Sequence, residues 1–327
     1  MRFGKNVAYF ALGFLMFELV RRALVPPVPG PIERELATVL AQRSSCTVLA
    51  VGPSYVKSQI VPDAFDREAD RIGLRERVCK YGASSLRGYE LRKVLERLLE
   101  HDWPRLRLVL IDITLGDGID FEPDNWLNPR LVEWHTLQSM PWLLAYYERE
   151  PMPLGDKLPR LVSHAKHFLA HYAEVGHGIE WLGSLELLER FRPRSEPIAP
   201  GEAERAERRR RGARYDRQVR KLIERRSKRE RNAADSGWAL ELRSLVRAHD
   251  KEAYFVVAPV LYSARVPKRA RRGRDRLVVF DFNDPERYPE LYEERVRGTT
   301  SHLNRRGSIL YTELLARELE EHERRRR

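Results

Sequence analysis

Apolar positions along this chain fall into short unbroken runs, separated by longer stretches in which they recur every three or four residues. Val48-Leu49-Ala50-Val51 is the first run, and Gly52-Pro53 ends it. An uninterrupted apolar run of this length predicts a strand buried on both faces, as in a parallel sheet. Val78 to Tyr81 is a weaker second strand, and Leu108 to Ile113 a third. Tyr254 to Pro259 and Leu277 to Phe282 complete the set. Between them the period changes. Leu91, Val94, Leu95, Leu98 and Leu99 share one face of a helix, and Leu240, Leu242, Leu245 and Val246 mark another over Trp238 to Ala248. Asp63 to Ile72 reads as a short helix, and Gly307 onward as a closing helix carrying Leu310, Leu314 and Leu315. Strand and helix alternate, which predicts an α/β domain: a three-layer, doubly wound, mostly parallel five-stranded sheet. The helical pattern of Asn128 to Glu189 and the polar stretch after it form an insertion, about residues 129–248, within a domain of 45–320.

The ends read differently. Asn6 to Val20 is mostly apolar, preceded by Arg2 and Lys5, interrupted by Glu18 and followed by Arg21-Arg22. It is shorter than the roughly 20 residues that a spanning helix prefers. No small-residue cleavage site follows it, so a retained signal anchor over residues 1–25 is the reading, with a buried amphipathic helix as the plain alternative. Pro26-Pro27-Val28-Pro29-Gly30-Pro31 is a stiff spacer. A short helix, Ile32 to Gln42, leads from it to the first strand, so that 26–44 connects anchor and domain. A basic tail, 321–327, closes the chain.

Charge alters the picture in one place. Gly201 to Asn232 holds 14 Lys/Arg against 6 Asp/Glu, and with Arg324 to Arg327 it accounts for the whole formal charge of +12. The sheet-forming parts are near neutral. Apolar residues in the basic stretch are few, chiefly Val219, Leu222 and Ile223, which suggests an exposed or mobile helix. Contact with anionic lipid or another polyanion fits it. Nucleic acid does not, because aromatic residues for base stacking are scarce. The two cysteines, Cys46 and Cys79, begin neighbouring predicted strands. Two buried thiols or one bridge are both compatible with strands about 4.8 Å apart.

The chemistry-bearing residues lie at strand ends. Ser54 directly follows the first strand, where open α/β sheets place their ligands. A serine there is a nucleophile if a base reaches it, and a turn serine otherwise. His302, in Ser301-His302-Leu303-Asn304 before Gly307, is the candidate base. Alone, that segment reads as a helix entry with Asn304 as its cap. His164, His167 and His171 share a helix face, but no carboxylate completes a metal site, and a polar helix surface is the preferred reading.

Taken together, Gly52-Pro53-Ser54, Ile60-Val61-Pro62, Gly82 and His302-Leu303-Asn304 resemble the SGNH (GDSL-like) hydrolases, and within them the membrane-anchored, O-acetyltransferase-like branch. The resemblance implies an SGNH/flavodoxin-like fold and acyl transfer. Ser54 is the nucleophile and His302 the base; the oxyanion hole comes from the N–H groups of Ser54 and Gly82, with Thr114 a substitute for an expected asparagine. It implies an acylated envelope carbohydrate or a similar ester as substrate, neither cofactor nor metal, and a single-pass protein whose domain lies outside the cytoplasm, in the periplasm. One position departs from the pattern. The family has an aspartate three residues before its histidine, and this chain has Thr299. A hydroxyl or carbonyl, Asp284, or a glutamate of the Glu293-Glu294 pair are the alternatives for orienting His302. The departure also leaves room for a degenerate domain that binds or scaffolds without catalysis.

Overall fold

The computed structural model describes residues 31–84, 86, 88–115, 133, 135–149, 153–172, 215–225, 237–262, 277–299 and 301–327, together with positions 9, 12, 13 and 16. In chain order the elements are α1 (Pro31–Leu40), β1 (Val48–Gly52), α2 (Ser54–Gln59), α3 (Pro62–Ile72), β2 (Val78–Gly82), α4 (Gly88–Leu99), β3 (Leu108–Asp112), α5 (Met140–Arg149), α6 (Leu154–Tyr172), α7 (Gly237–Arg247), β4 (Glu252–Val257), β5 (Val279–Asp281) and α8 (Arg305–Arg326). The chain divides into two compact units, 1–34 with 122–194 and 35–121 with 195–327.

The larger unit holds one five-stranded sheet in the order β2-β1-β3-β4-β5. Every neighbouring pair is parallel. The expected sheet is therefore present, and it is all parallel rather than mostly so. β1 opens the sequence order of the strands yet sits inside the sheet, with β2 on one side and β3 on the other. The winding reverses there, and the carboxyl ends of β1 and β3 border the crevice where such sheets bind ligands.

Alternate residues of the strands serve opposite layers. Val48, Ala50, Leu110 and Val256 join a core with Phe65 of α3 and with Tyr311 and Leu315 of α8. Leu49, Val51, Val109 and Phe255 are equally buried. Their side of the sheet is covered by α4, which meets β1, and by α7, which meets β4. Two covered faces are why the strands read as continuous apolar runs.

Two expectations change here. The last strand is only Val279–Asp281, and after it the Asn283 side chain turns inward to donate to the carbonyl of Val260 at 2.6 Å. The basic stretch is anchored where it is described. Residues 215–225 are helical, Leu222 is buried, and Tyr215 and Val219 pack on the sheet core. These three positions fall on one helical stripe, which few apolar residues suffice to make. The rest of Gly201 to Asn232 lies outside the described residues.

Cys46 and Cys79 form a disulfide, with Cα atoms 5.7 Å apart. Among the two sequence alternatives, the bridge is the one present. It closes a loop that contains Ser54 and the whole of α2 and α3.

In the smaller unit the carboxylate of Glu133 accepts the N–H groups of Ile32 and Glu33 and so caps the start of α1. The expected anchor, 1–25, lies outside the described residues except for helical positions 9, 12, 13 and 16. No helix among the described residues is long and apolar enough to cross a membrane.

Candidate active site

A close approach of backbones sets the position of Ser54. A Cβ on Gly52 would lie 2.6 Å from Cβ of Asp112 and 2.7 Å from Val56, so only glycine lets β1 end between β3 and α2. Pro53 follows in extended conformation, and Ser54 is the first residue of α2 rather than part of an open turn. That short helix is pinned at its far end. Lys80 Nζ donates to the carbonyls of Lys57 and Ile60, each at 2.6 Å. The Thr312 hydroxyl accepts the Val61 N–H at 3.1 Å and lies 3.0 Å from the Gln59 carbonyl.

His302 sits on a tight hairpin. The N–H groups of Gly298 and Thr299 both donate to its carbonyl at 3.0 Å. Its own N–H donates to the Thr299 hydroxyl at 3.0 Å. Asn304 caps α8 by accepting the Gly307 N–H at 3.0 Å, and its amide donates back to the carbonyl of Arg295 at 2.8 Å. The helix-entry role of Asn304 and the presentation of His302 are thus one construction. Gln59, buried at the end of α2, donates to the Ser301 carbonyl at 3.3 Å and ties the serine helix to the histidine loop.

The structure brings Ser54 and His302 together across 248 positions of sequence: Oγ lies 2.8 Å from Nε2. On the other side of the ring, Nδ1 lies 3.0 Å from the Ser301 hydroxyl, which in turn lies 3.3 Å from the Thr299 hydroxyl. Counting lone pairs fixes the first proton of this hydrogen-bond chain. The Thr299 oxygen accepts two backbone N–H groups, from Ser301 and His302, so its own proton goes to Ser301 Oγ. Ser301 Oγ keeps a lone pair that can accept from Nδ1–H, and in that tautomer Nε2 is bare to take the proton of Ser54. Burial lowers His302 below the ordinary imidazole value. The group at Nδ1 is a hydroxyl, one of the sequence alternatives. Asp284 instead caps a turn by accepting the N–H groups of Glu286 and Arg287. Glu293 pairs with Arg295, and Glu294 is exposed.

Gly82 ends β2, with its Cα against the backbone of Lys57 in α2, and any side chain there would overlap that backbone. The Ala83 N–H is committed to the Gly52 carbonyl at 3.2 Å. Thr114 takes a supporting place. Its N–H donates to Asp112 at 2.8 Å and its hydroxyl accepts the Ala258 N–H at 2.7 Å, joining the ends of β3 and β4. The backbone donor of Thr114, expected as a contributor to the oxyanion hole, is thus committed to Asp112. Burial drives Asp112 up to about 7, against the opposing pull of Thr114.

Two tyrosines that the sequence reading left without a role flank the pair. The Tyr55 ring centroid is 5.2 Å from that of His302. Its hydroxyl bonds that of Tyr262, a residue 37% exposed in the segment after β4. An aromatic residue soon after the carboxyl end of a strand was the signal for Tyr262. Ser301 and Gln59 had no such signal, since small and amide side chains near loops are common.

The histidine helix face departs from expectation. In the smaller unit His164 and His167 of α6 are buried, and so is His135. His164 Nδ1 lies 2.9 Å from His135 Nε2, and its Nε2 lies 2.7 Å from the Tyr147 hydroxyl. Burial, then His167 and Arg160, hold His164 down to about 4. The reading of a polar helix surface is therefore overturned for these two, because α6 turns its leucines outward instead. Among the described residues, no group of three histidine, cysteine or acidic side chains is arranged to hold a metal ion.

Comparison of the chain with family models, with curated proteins and with solved structures gives no match in any of the three.

Proposed function

We propose that the chain is a membrane-anchored serine esterase or O-acyltransferase of the SGNH (GDSL-like) type, acting on an acylated envelope glycan or a similar ester. The observation that carries this reading is the 2.8 Å contact between Ser54 Oγ and His302 Nε2 at the point where the sheet's winding reverses. Ser54 attacks the ester carbonyl carbon while its proton passes to Nε2. The N–H groups of Ser54 and Gly82 stabilise the oxyanion; the first is the opening N–H of α2, with no carbonyl one turn back to bond. The C–O bond then breaks, and the alcohol leaves with the proton from His302. Water or a sugar hydroxyl, deprotonated by His302, takes the acyl group from Ser54. Tyr262 offers an exposed ring on which a sugar can stack. The Cys46–Cys79 disulfide favours an oxidising compartment outside the cytoplasm.

A hydroxyl where a carboxylate is expected favours a second reading, a degenerate domain that binds an envelope polysaccharide without turning it over. One experiment separates the two. The full chain is treated with a fluorophosphonate probe beside Ser54→Ala and His302→Ala. Labelling that vanishes in both variants supports the enzyme. A folded wild type that takes no label overturns it.

A further inference from the structure

Helix α6 reverses the arrangement expected of a helix in water. Its inner face carries Ser163, His164 and His167, buried beside Phe168 and Ala170. Its outer face carries Leu154 at 79% exposure, Leu158 at 60%, Leu161 at 39%, Val162 at 47% and Leu169 at 71%. These positions form one stripe, about 22 Å long at 1.5 Å per residue. Met140 and Leu144 continue the pattern on α5, at 37% and 51%. Tyr9, Leu12 and Met16, which belong to the same compact unit, are exposed at helical spacing too. Isolated exposed leucines are ordinary, whereas a continuous stripe opposite buried imidazoles is not. Imidazoles bonded and stacked inside, with leucines outside, is the polarity of a protein solvated by lipid.

We propose that the leucine face of α6, with the Met140–Leu144 edge of α5, docks into the headgroup–acyl boundary of an anionic lipid bilayer. The helix lies in the plane of the interface, since no helix among the described residues is long and apolar enough to cross. Charge complementarity selects this occupant. Lys157 and Lys166 flank the leucine stripe on either side, while the single acid, Asp156, lies on the opposite side of α6. Anionic headgroups neutralise such an excess. A second copy packed on the same face would bring these two lysines toward their own equivalents. The inference stands apart from the serine chemistry and survives if that fails.

The test uses the protein's own cysteine economy. Both native cysteines are bonded, so Leu158→Cys, Leu161→Cys or Leu169→Cys in the full chain carries one free thiol for an environment-sensitive fluorophore. Ala165→Cys, on the same stripe, repeats the reading without removing a leucine. The labelled chains are mixed with vesicles of phosphatidylcholine and phosphatidylglycerol, with and without brominated acyl chains. The expected result is a blue shift, a several-fold loss of iodide quenching relative to vesicle-free protein, and quenching by bromine at a depth of about 5–10 Å. A probe that stays open to iodide overturns the proposal. So does one shielded from iodide and bromine alike, the signature of a protein partner or a second copy, and so does a chain that does not associate with the vesicles.

Discussion

Replacing Ser301 with alanine tests the least familiar part of the site, the hydroxyl at His302 Nδ1. The perturbation is small. Ser301 is partly exposed, and its carbonyl, which holds Gln59, is unchanged by the substitution. What is lost is one hydrogen bond of 3.0 Å, to a ring that becomes cationic as Ser54 gives up its proton. A hydrogen bond to a charged group contributes about 1.5–3 kcal/mol. If that stabilisation appears in the transition state and little in the resting enzyme, acylation of Ser54 slows roughly 10- to 150-fold. The assay is the second-order rate of fluorophosphonate labelling, or the burst of p-nitrophenyl acetate hydrolysis, over about pH 5 to 9. Ser301→Asp supplies the contrast. A carboxylate beside Nδ1 favours the imidazolium, so the acid limb of the profile moves up by about one to two pH units. In the wild type that limb lies below the ordinary imidazole value, because burial lowers His302 with no anion opposing it. A Ser301→Ala protein within about twofold of wild type, with its acid limb unmoved, refutes the assignment, since a bond of the size above would exceed that change.

Other consequences are structural. Removing the disulfide with Cys46→Ala and Cys79→Ala frees a loop with a sequence separation of 33. By loop-closure entropy this costs about 3–4 kcal/mol, read as a lower urea midpoint in non-reducing buffer. Asp112 prefers its protonated form in the folded state, so its contribution is full below the ordinary carboxylate value and is lost as pH rises toward about 7. Asp112→Asn, which keeps an acceptor for Thr114, should therefore stabilise the fold more at about pH 8 than at about pH 5, by on the order of 2–4 kcal/mol, read as a larger rise in Tm at the higher pH. Equal effects at both values would show that Asp112 is not held protonated. Gly82→Ala forces a methyl against the Lys57 backbone and should cost about 1–3 kcal/mol or more, with a loss of labelling at Ser54 beyond what the lowered Tm explains. Unchanged stability would place α2 farther from β2 than the structure has it.

The sheet was legible because its strands are buried on both faces, and a run such as Leu108 to Ile111 has no other comfortable place. Its order was less so, since alternation of strands and helices does not fix which strand lies inside. Ser54 and His302 were legible as strand-end and loop residues, but their meeting depends on contacts between distant segments: Lys80 with α2, Thr312 with Val61, Gln59 with Ser301. Each partner is an ordinary polar residue when read in line. Ser301 is the clearest case. A hydroxyl was among the alternatives for orienting His302, but nothing in line marks Ser301, one residue away and linked in turn to Thr299, as the one that does so.

Helix α6 shows the limit of periodicity most directly. A 3.6-residue repeat reveals that histidines share one face and leucines the other, and it is silent on which face turns inward. In water the leucine face is the default, since each buried leucine contributes about 1.5–3 kcal/mol. Yet His164 is bonded on both ring nitrogens, to His135 and Tyr147, and stays neutral down to about 4. Such a ring has little desolvation cost left. Forgoing the burial of five aliphatic side chains for this cluster makes sense only if they are desolvated elsewhere, and a lipid surface supplies that desolvation without any further protein. The polarity of α6 and the basic residues beside its leucines then have a common cause, which neither the apolar pattern nor the charge pattern discloses alone.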